Sequence, residues 1–356
     1  MAARGRRSNQ LQWVIVLLFL SLVLVLVLKP REPPPSQLIS PGSYLFCFWN
    51  VENLFDDRDD RRGGPGDEEY DPWFARNPEL LRQKLDHLCK ALLGLNGGRG
   101  PDILAVAEVE SERAANLLCQ ELNARLSDPS LHYGPPLMKE VSSGRHIAPA
   151  ILTRLPAQRD RTHLLNPRLR ILEGHLHVNG HQLVILASHW TSQVSDKKDV
   201  GREKYAKQLY GRFKEMYLSN PEVDVLICGD FNDPPDDPVV INHLHAVGDR
   251  AAVLRGPAEQ PLLFNLFAGK DPKQFGTLYH HRWFIYDQIV VSPGLLDDRG
   301  WSCEVDSVQT VRTLHRSDDS LRRPWSFGRA AEKGPRGYSD HFPVTVQLKV
   351  ADGSGR

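Results

Sequence analysis

Apolar and polar positions divide this chain into two unlike parts. From Leu11 to Leu28, eighteen consecutive residues, LQWVIVLLFLSLVLVLVL, carry no charge. As a helix the run would span about 27 Å, close to the hydrocarbon thickness of a bilayer. Leu, Val and Ile would occupy every face of it, unlike a helix packed into a globular core. The run predicts a transmembrane signal anchor. The rival is a cleaved signal peptide, which has a shorter apolar stretch and small residues before its cleavage site. Here Lys29-Pro30-Arg31-Glu32 follows instead. In the basic leader 1–10, Arg4, Arg6 and Arg7 favour a cytoplasmic N-terminus, with Lys29 and Arg31 opposing them. Residues 29–43 hold five prolines and read as a stiff linker. The expectation is a single-pass membrane protein with its main domain outside the cytoplasm, or a secreted one if the leader is cleaved.

Beyond the linker, residues 44–350 read as one α/β domain, followed by a short tail at 351–356. Tyr44–Trp49, Ile103–Ala107, Ala150–Thr153, Leu183–Ser188, Val223–Cys228 and Gln288–Val291 are apolar runs of buried-strand length. Pro78–Leu93, Glu112–Leu126 and Gly201–Leu218 show helical spacing, with Asn77 as N-cap and Pro78 at the first helical position. Asp57–Asp71 is charged and Gly-rich, which predicts a surface loop.

Composition changes this picture little: 41% hydrophobic and 25% charged residues are ordinary for a globular protein. Charge adds more. The chain holds 44 Lys+Arg and 44 Asp+Glu, but residues 1–43 contribute five cations and one acid, which leaves the domain at about −4. That excludes a broadly basic nucleic-acid surface, though not a local basic cleft. Five cysteines form no disulfide framework. Cys47 and Cys228 fall inside predicted strands and should be free, whereas Cys89, Cys119 and Cys303 leave a pairing open.

The chemistry collects at strand ends. The first strand leads into Asn50-Val51-Glu52-Asn53, the second ends at Glu108, and a third ends at His189. VDVLICGDFND supplies Asp230, Asn232 and Asp233; YDQIVVS opens with Asp287; GYSDHFPV presents Asp340 and His341. Rigid strands position loop residues, so α/β catalytic groups gather there. Any one of these could be a turn, a cap or a solvated residue. Six together, each beside an apolar strand, argue for a site.

The ordered set W-N-V-E-N at 49–53, A-E-V-E at 107–110, S-H-W at 188–190, G-D-F-N-D at 229–233, Y-D-Q-I-V-V-S at 286–292 and S-D-H-F-P-V at 339–344 resembles the endonuclease/exonuclease/phosphatase superfamily, the deoxyribonuclease I-like fold. Gly276-Thr277 and Trp283 fit the same family. The resemblance, to a bacterial membrane-anchored member, implies an α-β-β-α four-layer sandwich preceded by one transmembrane helix.

It also implies a metal-dependent phosphoesterase, of endonuclease/exonuclease phosphodiesterase type, that attacks in line with water. The alternatives are a phospholipid or small-molecule phosphatase of the same fold, and a catalytically inactive binding module. The implied cofactor is Mg2+, with Mn2+ or Ca2+ as substitutes, held by Glu108 with Asn50, Glu52 and Asp340, because hard cations prefer oxygen ligands. His341 would be the catalytic histidine, oriented by Asp287. Asp230 and Asn232 would orient water and a phosphoryl oxygen. His189 would donate to phosphate or the leaving group, and Arg145 would bind phosphate. Where many relatives read Arg-Gly-x-Asp, this chain has Arg145-His146-Ile147-Ala148; Ala148 cannot orient His189, which leaves His146 as the compensating candidate. The implied partners are a nucleic acid or phospholipid head group and, through residues 11–28, a membrane; no obligate protein partner is evident.

Overall fold

The structure, a computed structural model, describes residues 42–64, 66–141 and 144–352. The leader, the apolar run 11–28 and most of the linker lie outside the described residues. Among the described residues no helix is long and apolar enough to cross a membrane.

Fifteen strands form two main sheets and a hairpin. In chain order, the first sheet takes β1 (Ser43–Leu54), β2 (Ile103–Val109), β3 (Leu137–Met138) and β4 (Ala148–Thr153). The second takes β5 (His163–Leu164), β6 (Ile171–Val178), β7 (His181–His189), β8 (Val225–Asp230), β9 (Ala246–Val247) and β10 (Leu263–Asn265). A hairpin, β11 (Leu278–His280) and β12 (Arg282–Phe284), precedes β13 (Asp287–Val291). Finally come β14 (Trp301–Thr310) and β15 (Val344–Val350). Sheet one runs β14-β15-β1-β2-β4-β3, and sheet two runs β5-β6-β7-β8-β13-β10-β9. Helices α1 (Asp67–Ala75), α2 (Pro78–Leu93) and α3 (Glu112–Arg125) precede or follow strands of sheet one; α4 (Val200–Ser219) joins β7 to β8.

Period-two side-chain alternation explains the layering. In β1, Cys47 and Trp49 pack with α2 and α3 through Leu85, Leu88, Leu118 and Leu122. Phe46 and Phe48 point the other way, into the core shared by both sheets with Ile185, Leu226 and Ile289. In β8, Leu226 and Cys228 join that shared core, while Val225 and Ile227 meet Tyr205, Leu209 and Phe213 of α4. Each central strand is buried on both faces, which is why it reads as an unbroken apolar run. The result is a mixed α/β sandwich of two sheets with helices packed outside.

Two expectations change. The segment Asp57–Asp71 is not all surface loop: α1 begins inside it, and Asp67 and Asp71 are buried. Asp71 accepts the amides of Asp60 and Arg62 at 3.1 and 3.0 Å, so backbone donors replace its water. The open question about cysteines closes, since all five are free and buried.

Asp224, just before β8, adds a pH-dependent element. One of its buried oxygens accepts the Trp301 amide at 2.9 Å; the other has no partner. Burial, with Asp297 and Glu222 nearby, pushes its pKa up to about 7. The folded state therefore holds this proton when the unfolded chain has lost it, and stability falls as pH rises from about 4 toward 7. Asp224→Asn keeps the acceptor and removes the titration. Its Tm should exceed that of the parent at pH 8 and converge with it at pH 4 in thermal melts; parallel curves would refute this assignment.

Candidate active site

Strand register assembles the site. Along parallel β7 and β8, Ser188 pairs with Gly229 and His189 with Asp230. Along antiparallel β8 and β13, Asp230 pairs with Asp287. One row across sheet two thus sets His189, Asp230 and Asp287 side by side. Only glycine permits the approach at 229, where a Cβ would stand 2.4 Å from the Ser188 carbonyl oxygen.

Sheet one supplies the opposing half through irregular backbone. The β1–β2 ladder shifts register between Asn50 and Leu54, and β2–β4 shifts between Val106 and Val109. Such bulges re-aim side chains. Within them Glu52, Asn53 and Glu108 take φ of 52°, 57° and 65°; Asn232, after β8, takes 54°. Left-handed backbone is unfavourable for these residues, and strain of this kind gathers at functional sites. Across the sheets, Asn50 Nδ2 donates to Asp230 Oδ2 at 3.1 Å and lies 3.3 Å from Glu108 Oε1. The Asn53 amide donates to the other Glu108 oxygen at 3.0 Å.

Both histidines aim at Asp230. The Nε2 atoms of His341 and His189 each lie 3.7 Å from Asp230 Oδ2, and His189 Nε2 lies 3.8 Å from Glu108. His341 Nδ1 bonds Asp287 Oδ2 at 2.6 Å. Asp230, Asp287 and His341 form a buried, metal-capable group, but this bond commits one ring nitrogen to Asp287. The imidazoles are driven apart electrostatically. Burial disfavours a charged His341, yet Asp287, Asp230 and Asp340 outweigh it and hold its pKa well above the usual value. Burial, together with Arg170, His341 and Arg145, holds that of His189 well below. Arg170 Nη1 stands 3.5 Å from His189 Nδ1. A guanidinium only donates, so His189 carries its proton on Nε2, facing the site. Burial raises the Asp230 pKa to about 6, against the opposing charge of His341.

The remaining candidates divide. Asn232 donates from Nδ2 to the Trp190 carbonyl at 3.1 Å and from its backbone amide to Asp230 Oδ1 at 3.0 Å. Asp340 is buried deeply enough that its pKa rises to about 7, with Glu52 and Glu108 adding repulsion. Glu52 is fully engaged: its oxygens accept from Ser326 Oγ (2.5 Å) and from the amides of Phe327, Gly328 and Asp340 (2.7, 3.1 and 3.1 Å). Arg145 donates to Asn53 and pairs with buried Asp67 at 3.6 Å. His146 Nδ1 also bonds Asp67, at 2.9 Å, and Ala148 is buried in β4. Neither compensates at His189 Nδ1, where Arg170 stands instead.

Sequence reasoning missed Lys84. It lies fully buried in α2, donates to the Tyr338 carbonyl at 2.9 Å and stacks 4.7 Å above Phe327. Burial lowers its pKa to about 8 against the attraction of Glu52, Asp340 and Glu108. Its signal was present: a lysine on the apolar stripe of Leu81, Leu85 and Leu88. Also missed was the segment between β14 and β15. It walls a groove of about 960 Å³ whose lining includes Asn232 and Asp340 at the site and Tyr279, Phe284, Tyr286 and Trp325 beyond. Arg316 lies 5.8 Å over Trp325 and Arg323 lies 5.6 Å over Tyr279, paired with Asp318 and Asp319 at 2.8 and 2.9 Å.

Comparison with known proteins agrees with this fold. Among solved structures, truncated Caenorhabditis elegans TDP2 superposes with a TM-score of 0.51 at 15% identity, covering 87% of this chain and 98% of that one. D. rerio TDP2 complexed with single strand DNA product gives 0.50 at 16% identity, covering 87% and 100%. At such identities the likeness is one of fold. No curated protein sequence matches the chain. The family model described as Endonuclease/Exonuclease/phosphatase family matches residues 45–350. The chain belongs to the endonuclease/exonuclease/phosphatase family and is a hydrolase of phosphate esters.

Proposed function

We propose that the protein is a divalent-metal-dependent phosphodiesterase whose substrate is nucleic acid. The observation that carries this reading is the convergence of His189, His341 and Asn50 on Asp230, beside Glu108, at a groove with four aromatic side chains in its wall. Aromatic walls suit unpaired bases, each stacked base being worth about 1–3 kcal/mol. The likeness to a fold that D. rerio TDP2 uses to hold a single-stranded DNA product supports the same reading.

The residues fit a hard cation. Glu108 and Asp340 are partly exposed carboxylates close enough to repel, a repulsion that adds to burial in raising the Asp340 pKa. Glu108 and Asp340 would hold Mg2+; the Asn50 amide oxygen is taken by the Glu52 backbone amide at 3.1 Å, and its nitrogen faces Glu108 and Asp230. Glu52 would act by holding Asp340 in place. Bound there, the metal would polarise the phosphoryl group and screen its charge.

The protein groups divide the proton work. Asp230, with a pKa near the working range, orients the attacking water and takes its proton. His341, kept charged by Asp287, donates from Nε2 to a phosphoryl oxygen. His189 donates from Nε2 as a neutral ring, and Asn232 fixes the edge of the site through Trp190.

The test is a substrate panel with the full-length protein and Mg2+: single- and double-stranded DNA, RNA, bis(p-nitrophenyl) phosphate, phosphoinositides, sphingomyelin and sugar phosphates. Turnover of oligonucleotides that EDTA abolishes and Mg2+ restores is expected. Turnover confined to lipids or sugar phosphates would overturn the nucleic-acid assignment, and turnover unaffected by EDTA would overturn the metal.

A further inference from the structure

Two grooves flank the segment that follows His189. Ser192, Gln193 and Val194 belong to the wall of the aromatic groove. The preceding residue, Thr191, belongs to a second groove of about 620 Å³ that runs along α4. That groove is lined by Asn166, Arg168, Lys204, Lys207 and Gln208, with Tyr205 in its floor.

Their charges differ in kind. In the aromatic groove each arginine is paired with an aspartate, and Asp340 adds a further acid. A phosphate chain gains little there. The second groove has three cations and no carboxylate in its wall. Lys207 is paired with Glu203 at 2.5 Å, which leaves Arg168 and Lys204 without a carboxylate partner among the described residues. On a domain of about −4 this is a local concentration of unpaired positive charge. Arg170 forms the partition between this groove and the site. Its amide and Nε face the Tyr205 hydroxyl at 3.1 and 3.4 Å, while its Nη atoms reach His189 Nδ1 and the Trp190 carbonyl at 3.5 and 3.4 Å.

We propose that this basic groove, with Arg168 and Lys204 as its principal contacts, binds the non-scissile phosphates of a nucleic-acid strand. The strand then runs from α4 past His189, and its unpaired end enters the aromatic groove. This rests on the nucleic-acid reading above and adds the path of the strand. Phosphate contacts of this kind set affinity and register without reading sequence.

The test uses Arg168→Gln together with Lys204→Gln in the full-length chain. Both side chains are exposed and outside the catalytic group, so Tm should be unchanged. Binding of a fluorescein-labelled single-stranded 12-mer in EDTA is followed by anisotropy over a salt series. Loss of two phosphate contacts should flatten the log–log salt slope by about 1.4 and weaken binding several-fold at low salt. In Mg2+, kcat/KM on the oligonucleotide should fall by a similar factor. Turnover of thymidine 5′-monophosphate p-nitrophenyl ester, too short to reach the groove, should stay at the parental rate. An unchanged salt slope, or equal losses on both substrates, overturns the proposal. If the parent binds no oligonucleotide but cleaves the small ester, the groove assignment fails while the phosphodiesterase reading stands. If the parent binds the oligonucleotide yet cleaves neither substrate, the phosphodiesterase reading fails and the groove stands.

Discussion

His341→Ala should lower kcat by about 10²- to 10⁴-fold, the usual contribution of a positioned proton donor. The ring is buried between Asp287 at 2.6 Å and Asp230 at 3.7 Å. No other described side chain bonds Asp287 Oδ2, and Asp287 Oδ1 has no partner, so water or an added proton must take over in the variant. Steady-state kinetics with Mg2+ give the first readout, and near-parental turnover would remove His341 from the mechanism. Asp287→Asn supplies a second, independent one. It removes the nearest charge that keeps the ring protonated, so the pKa of His341 falls. A charged donor works below its pKa, so the alkaline limb of the kcat profile should move to lower pH. A limb that stays in place would show that His341 does not act in its charged form.

Glu52→Gln should destabilise the protein in EDTA by about 2–5 kcal/mol, because two of the four donors on the carboxylate would face an amide nitrogen. Those donors belong to Ser326, Phe327, Gly328 and Asp340, so one side chain ties the groove segment to the metal-site segment. The opposite result is equally clear. A group that serves only to ligate metal stands among Asp340 and Glu108 as surplus negative charge, and neutralising it in EDTA would raise Tm. A thermal melt with and without EDTA decides between the two. Mg2+ should still stabilise the variant, because Glu108 and Asp340 remain.

Much of this was legible in the chain because strands buried on both faces leave an unmistakable apolar run. β2, β4, β7, β8 and β13 announced themselves this way, and the fold brings the residues at their ends together. Strands without that signal escaped. β6 reads ILEGHLHV because buried Glu173 and His175 bond each other at 2.8 Å, and β14 is an edge strand with half its residues partly exposed. Burial of charge was the harder matter. Nothing local distinguishes Asp71, held by backbone amides, from the solvated aspartates around it. Arg145 is engaged by Asn53 and Asp67, 92 and 78 positions away in the chain, and Glu52 by donors more than 270 residues on; neither engagement is visible in the sequence around them. Ligand chemistry follows residue type, but availability follows contacts that only the fold supplies.

The left-handed backbone at Glu52, Asn53, Glu108 and Asn232 has a practical consequence for anyone improving this protein. Glycine would relax each of these positions, whereas the present residues hold a conformation worth roughly 1–3 kcal/mol of strain apiece. A library sorted only for heat resistance would therefore enrich changes that erase the chemistry first at Glu108 and Asn232. At Glu52 the four hydrogen bonds oppose that drift. Positions where thermal selection and catalytic selection disagree would locate the site without any substrate in hand.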